Sequence, residues 1–295
     1  MNGMNIMKNI SKKNTRILSY VTSPTIKYSP SIHHFDVTLR DGLQSLNRCY
    51  TFHEKRTILN EIVKEKSPKS IEVGSIVSPK ILPQMNDSIQ LYNYATKHFT
   101  SPTFYMLVPN KRSMNVAIDN NIRNISLITS VSDKFQLKNT NISLEENKKQ
   151  LSYMISLNHF DKIKLYISCI NECPIDGLIC PDKIIKDIIF YSQFDNINEL
   201  CISDTCGTLQ FDTFKYIIDN VIKHVDYNRI SIHLHESDSN KYNIHNIINY
   251  AYIECGIYRY DVSYFKDIGG CSVTIKNHKL NGNLTYETLT QSMIL

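Results

Sequence analysis

At 295 residues, with 42% hydrophobic and 21% charged side chains, the chain has room for one large core or two ordinary domains and the balance of a globular protein. Its net charge of +5 is modest, no apolar run approaches the ~20 residues of a membrane-spanning helix, and no basic cluster interleaved with aromatics marks the later sequence, which argues against membrane and nucleic-acid roles. Eight cysteines over this length are too sparse for a disulfide scaffold, and Cys169, Cys173 and Cys180 lack the paired spacing of a zinc site.

The chain opens on a basic segment. Residues 1–32 contain no Asp or Glu, while Lys8, Lys12, Lys13, Arg16 and Lys27 sit among Ser, Thr and Asn. This pattern reads either as an organellar transit peptide or as a disordered basic tail. Residues 33–295 read as one folded domain.

Short runs rich in Val, Ile, Tyr and Phe then recur at steady spacing, and each reads as a strand: "HHFDVTL" (33–39), "SIEVGS" (70–75), "TFYMLV" (103–108), "NISLITS" (124–130), "KLYISC" (164–169), "ELCISD" (199–204), "RISIHL" (229–234) and "YDVSYF" (260–265). Helical patterns fill the intervals. In "SLEENKKQLSYMISL", Ser143 reads as the N-cap, with Glu146 three places on to complete a capping box. In "PDKIIKDIIFYSQF", Pro181 opens the first turn and Ile184, Ile185, Ile188 and Ile189 share one face. Strand and helix alternating in this way predict an α/β fold, a closed parallel (β/α)8 TIM barrel. Its active site is expected at the C-terminal rim.

The sparse glycines support that picture, because Gly42, Gly74, Gly207, Gly269, Gly270 and Gly282 all fall at or after predicted strand ends. The rim so defined carries, in order, Arg40 and Asp41, Glu72 and Ser75, Ser130 and Ser132, Ser168 and Cys169, Asp204 and Thr205, His233 and His235, and Cys271. Residues two apart on a strand face the same side, so His233 and His235 are expected to turn both imidazoles to the barrel mouth. Two histidines alone are as consistent with ordinary hydrogen bonding at a strand end. Asp41, one strand removed across a closed barrel, adds a carboxylate, and a mixed nitrogen and oxygen set favours Mg2+ or Mn2+ without excluding zinc. Arg40 is suited to steady a developing oxyanion, and also to a structural ion pair with Glu72 or Asp204.

These residues carry a resemblance. "DVTLRDGLQS" resembles the signature of metal-dependent aldolase and Claisen-type barrels, and "SIEVGSIVSPKILPQMND" (70–87) narrows it to the 3-hydroxy-3-methylglutaryl-CoA lyase family. "LVPNKRS", "SVSDKFQLKNTNISLEEN", "YISCINECPIDG", "ISDTCG", "IHLH" and "IGGC" extend the match over nearly everything after the leader. The resemblance implies a divalent cation held by Asp41, His233, His235 and Asn283. It also implies an acyl-CoA substrate contacted by Arg40, Gln44, Ser75, Asn110 and Ser168, and catalytic roles for Arg40, Asp41, Glu72, Asp204, His233 and Cys271. The reaction would be retro-Claisen cleavage of 3-hydroxy-3-methylglutaryl-CoA to acetyl-CoA and acetoacetate. A homodimer is implied as well, in the mitochondrial matrix of a eukaryote or the cytoplasm otherwise.

The sequence also departs from the family. After strand seven the usual "HxHDTxG" is "HLHESDSN", with Glu236 for Asp and Ser237 for Thr. Asp267 stands where Gly is usual, and the segment from Cys271 to Asn283 is longer than its counterpart. A related acyl-CoA lyase, a Claisen-type synthase, or a metal-binding barrel without turnover are the alternative readings.

Overall fold

The computed structural model describes residues 31–270 and 281–293. Eight parallel strands close into a barrel: β1 (His33–Asp36), β2 (Ser70–Ser75), β3 (Thr103–Leu107), β4 (Asn124–Ser130), β5 (Lys162–Ser168), β6 (Glu199–Ser203), β7 (Ile230–His233) and β8 (Arg259–Val262). Going round the barrel the order is β1, β8, β7, β6, β5, β4, β3, β2 and back to β1, so every strand pairs with its neighbours in sequence and β8 closes on β1. The (β/α)8 barrel expected from the alternation is the observed fold.

The helices are α1 (Phe52–Lys66), α2 (Ser88–His98), α3 (Lys111–Asp119), α4 (Asp133–Thr140), α5 (Leu144–Ser156), α6 (Pro181–Ser192), α7 (Phe211–Val221), α8 (Lys241–Asn249) and α9 (Tyr286–Ser292). Local chemistry sets their starts. Ser143 Oγ accepts from the Glu146 N–H at 3.2 Å, as a cap should, but the Glu146 carboxylate accepts from Gln150 instead of turning back to close a box. The reciprocal box is found at α1, between Thr51 and Glu54. Pro181 occupies the first turn of α6, with Ile184 and Ile188 fully buried beneath it.

Strand alternation divides the core in two. Outward residues such as Ile163, Leu165, Ile167, Leu200, Ile202, Ile230 and Ile232 pack with the helices into one continuous apolar layer. Inward positions are different: Lys164, Tyr166 and Ser168 on β5, Glu199 and Cys201 on β6, His233 on β7 and Asp261 on β8 make a largely polar lumen. Burying charge is costly unless it is paired, and these groups pair with one another. No helix of the described residues is long and apolar enough to cross a membrane.

Two expected strands are shorter than their sequence pattern. β1 ends at Asp36, and Thr38–Gly42 wind into a π-helical turn in which the Gly42 N–H reaches the Val37 carbonyl at 3.1 Å. β8 ends at Val262, after which Ser263 only bridges to Thr285. After β1, Val37 and Leu39 stay buried without extending the ladder, and after β8, Tyr264 and Phe265 are only partly buried.

Candidate active site and metal centre

The π-turn after β1 decides where Arg40 and Asp41 point. A wide turn of this kind inserts an extra residue and redirects side chains, and such turns gather at functional sites. Arg40 Nε lies 2.5 Å from Glu72 Oε2 and its Nη1 2.5 Å from Asp41 Oδ1, while its guanidinium sits over the Tyr166 ring at 5.1 Å. The Tyr166 hydroxyl donates to the same Glu72 oxygen at 3.2 Å. Burial works against the Asp41 anion, but the adjacent guanidinium together with His235 and His233 outweighs it and holds the carboxyl well below the usual range. Asp41 Oδ2 also accepts the Gly270 N–H at 3.0 Å, which ties the turn to the loop after β8.

Across the mouth, His233 ends β7 and His235 follows two residues later, where residues His235–Glu236 pair antiparallel with Gly282–Asn283. The two imidazoles pack edge to face, 4.8 Å between centroids. His235 Nδ1 lies 2.6 Å from the Asp204 backbone carbonyl, so Nδ1 carries a proton, and Nε2 stands 3.9 Å from Asp41 Oδ2. His233 Nδ1 lies 3.1 Å from Asp261 Oδ2. Burial lowers the pKa of His233 despite that carboxylate, so its imidazole is neutral at ordinary pH.

Donor atoms of Asp41, His233 and His235 lie within 4.8 Å of one another, and all three residues are buried. Asn283 is directly opposite His235 in the short antiparallel pairing, so the two side chains share a face. His235 Nε2 and both amide atoms of Asn283 are buried without a hydrogen-bond partner. Buried polar atoms are normally satisfied, and orphans of this kind grouped with a carboxylate are what a bound cation would satisfy. The residues present therefore fit a divalent ion.

The pocket in front of this group opens to solvent and is lined at its base by Arg40, Asp41, Tyr166, Ser168, His233 and His235. Its outer wall is apolar, with Val77, Ile81, Leu82, Pro109 and Phe135. Gln44 and Ser75 also line it. Asn110 is exposed outside the lining and caps α3, its Oδ1 accepting from the Ser113 N–H at 2.9 Å. Glu72 lies beneath Arg40 and does not pair with the histidines. Asp204 acts on His235 through its backbone carbonyl, while its carboxylate accepts the N–H groups of Gly207, Thr208 and Leu209 and makes no bond to Arg40. Burial pushes that carboxyl up to about 6. Cys271 and residues 1–30 lie outside the described residues.

Asp261 and Tyr166 take part in this site without having been singled out in the sequence. The available signal was a charged or hydroxyl residue at an inward register position of a strand that is otherwise apolar, as in "YDV" and "KLYIS".

Comparison with known proteins agrees with the fold. The HMGL-like family model matches residues 31–241, which is most of the chain. The mitochondrial hydroxymethylglutaryl-CoA lyase of Macaca fascicularis is 28% identical over 205 residues, covering 68% of this chain and 62% of that protein, so the match spans less than two thirds of that relative's length. The 3-hydroxy-3-isohexenylglutaryl-CoA/hydroxymethylglutaryl-CoA lyase of Pseudomonas aeruginosa is 26% identical over 238 residues, covering 80% of this chain and 77% of that one. The crystal structure of the Brucella melitensis HMG-CoA lyase superposes with a TM-score of 0.78 at 24% identity over 90% of both chains, which establishes the shared fold. With the family model running through β1 to the start of α8, the chain belongs to the HMGL-like family.

Proposed function

We propose that this protein is a divalent-metal-dependent carbon–carbon lyase that cleaves 3-hydroxy-3-methylglutaryl-CoA to acetyl-CoA and acetoacetate. The observation that carries the reading is the joining of a donor set at Asp41, His233, His235 and Asn283 to a buried arginine, at the base of one pocket. Mg2+ or Mn2+ held by those residues would chelate substrate oxygens and lower the pKa of the tertiary hydroxyl.

The chain's own groups account for the rest. The hydroxyl proton passes to Asp41 or to whichever of the two histidines does not hold the ion through its free ring nitrogen. The C2–C3 bond then breaks, C3 becomes the ketone of acetoacetate, and the electron pair passes to C2 as the thioester enolate. Arg40, pinned by Glu72 and Asp41, faces that negative charge with no need to reorganise. Cys271, on the segment after Gly270, is assigned to return the proton that completes acetyl-CoA. Gln44, Ser75 and Ser168 bound the acyl portion, and the apolar outer wall suits the pantetheine arm of a CoA ester.

The test is product release from 3-hydroxy-3-methylglutaryl-CoA by the purified protein with Mg2+ or Mn2+. Acetyl-CoA and acetoacetate are expected in equal amounts, with kcat lowered about 10^2–10^3-fold in Arg40→Met, the range for removing one charge-stabilising group. Mn2+ binding by calorimetry with no cleavage would reject this substrate and favour another acyl-CoA or a barrel without turnover.

A further inference from the structure

Beneath the site, the lumen holds an ammonium that the proposed reaction does not use. Lys164 of β5 is fully buried, with Nζ 2.6 Å from Glu199 Oε1, in contact with Asp261 Oδ1, and 3.8 Å from the centre of the Phe35 ring. Arg259 supports Glu199 from the other side at 3.4 Å. Asp261 therefore has one oxygen on a cation and the other, Oδ2, 3.1 Å from His233 Nδ1.

We propose that Lys164 and Asp261 form a positioning relay that fixes His233 as its Nδ1–H tautomer and turns Nε2 to the barrel mouth. The inference rests on His233 being a working group of the site, and the chemistry is as follows. An ionised carboxylate can only accept, so a neutral imidazole beside it must place its single proton on Nδ1. A carboxylate this deeply buried stays ionised only where a cation compensates it, and Lys164 is that cation. Neither role can be taken over by water, because Lys164 and Asp261 are both sealed inside the barrel.

The arrangement also separates the two histidines. His235 leans on the neutral carbonyl of Asp204, whereas His233 leans on an anion. A carboxylate partner makes an imidazole the better electron donor and the better proton acceptor. The relay thus makes Nε2 of His233 the more strongly donating ring nitrogen presented to the barrel mouth. Lys164 and Asp261 touch no substrate and act through His233 alone.

The first measurement uses neither metal nor substrate. Two-bond 1H–15N correlation of histidine-labelled native protein, with the His233 signals identified by their loss in His233→Gln, is expected to show protonated Nδ1 and unprotonated Nε2. Asp261→Asn is expected to lose that pattern, because an amide can donate to Nδ1. It is also expected to weaken Mn2+ binding about 10- to 100-fold by calorimetry, the usual cost of losing an outer partner of a metal-bound histidine. Asp36→Asn, an equally buried carboxylate on β1 whose partners are Thr38 and Tyr286, is expected to leave both readouts unchanged. Native His233 protonated at Nε2 would overturn the relay, and so would a folded Asp261→Asn protein with unaltered tautomer and Mn2+ affinity. Whether the native protein cleaves 3-hydroxy-3-methylglutaryl-CoA does not enter the tautomer measurement, so the two readings fail separately.

Discussion

Asp36 points to the outside of β1, away from the lumen, where its oxygens accept the Thr38 N–H at 2.9 Å and the Tyr286 hydroxyl at 2.8 Å. Burial outweighs those donors and pushes its carboxyl up to about 6, from an ordinary value of 3.8. The folded state therefore holds this proton more tightly than the unfolded chain does. The associated stability is fully present below the unfolded value and is lost as pH rises through about 6. An Asp36→Asn variant, always neutral, gains on the native protein between about pH 4 and about pH 7 by up to about 3 kcal/mol. Urea midpoints at the two pH values read this directly, and a gap that does not widen with pH would refute it. At this same scale, Arg40, Asp41, His233 and His235 were legible in the sequence because an ionisable residue at a strand end has few structural uses. Lys164 and Asp261 were not, because each looks like one polar residue in an apolar strand until the closed barrel brings β5 and β8 face to face.

At the scale of elements, the site depends on two irregular pieces that clamp each other. One is the π-turn carrying Asp41, and the other is the antiparallel pairing of His235–Glu236 with Gly282–Asn283. Gly269 lies between them at φ +116°, a conformation L-residues rarely adopt, and a Cβ there would stand 2.3 Å from the Asn283 amide. Gly269→Ala is expected to displace Asn283 and weaken Mn2+ binding about 10-fold or more while far-UV circular dichroism stays native, a loss of the size seen when a positioning contact of a metal site is removed. Unchanged affinity would remove Asn283 from the donor set. The helices were better anticipated than these pieces. Caps and apolar faces are local chemistry, so Ser143 and Pro181 mark real starts. The end of β1 was misread because Phe35, Val37 and Leu39 are all buried, as a strand would bury them, although the backbone has already left the ladder. Among the family departures, Asp267 takes a left-handed φ of 59° that Asp tolerates better than most residues. Glu236 accepts the Thr285 N–H at 3.3 Å, which links the strand-seven extension to α9.

At the scale of the whole molecule, the donor set joins the first strand to the last third of the chain, so a bound ion would act as a staple across the barrel closure. A ligand that binds only the folded state stabilises it by mass action, about 2.7 kcal/mol at a concentration 100 times Kd. For a domain of this size that corresponds to a rise in Tm of about 5–10 °C. Mn2+ is expected to produce the rise, EDTA to reverse it, and Asp41→Ala to abolish it. An equal rise in Asp41→Ala would place the ion elsewhere.

The sequence by itself determined the fold class, the order of its strands and the residues of the rim, since periodicity, caps and strand-end chemistry act over a few neighbours. Only the tertiary structure decided how those residues work. Arg40 proved to be paired with Glu72 and not Asp204, Asp204 to hold His235 by its main chain, and Asn110 to cap a helix outside the pocket. The buried charges of the lumen acquired partners only on closure. The physical reason is that a closed barrel brings side chains from distant strands into one low-dielectric space, where each ionised group must find an opposite charge or a hydrogen bond, and no local pattern records which one it finds.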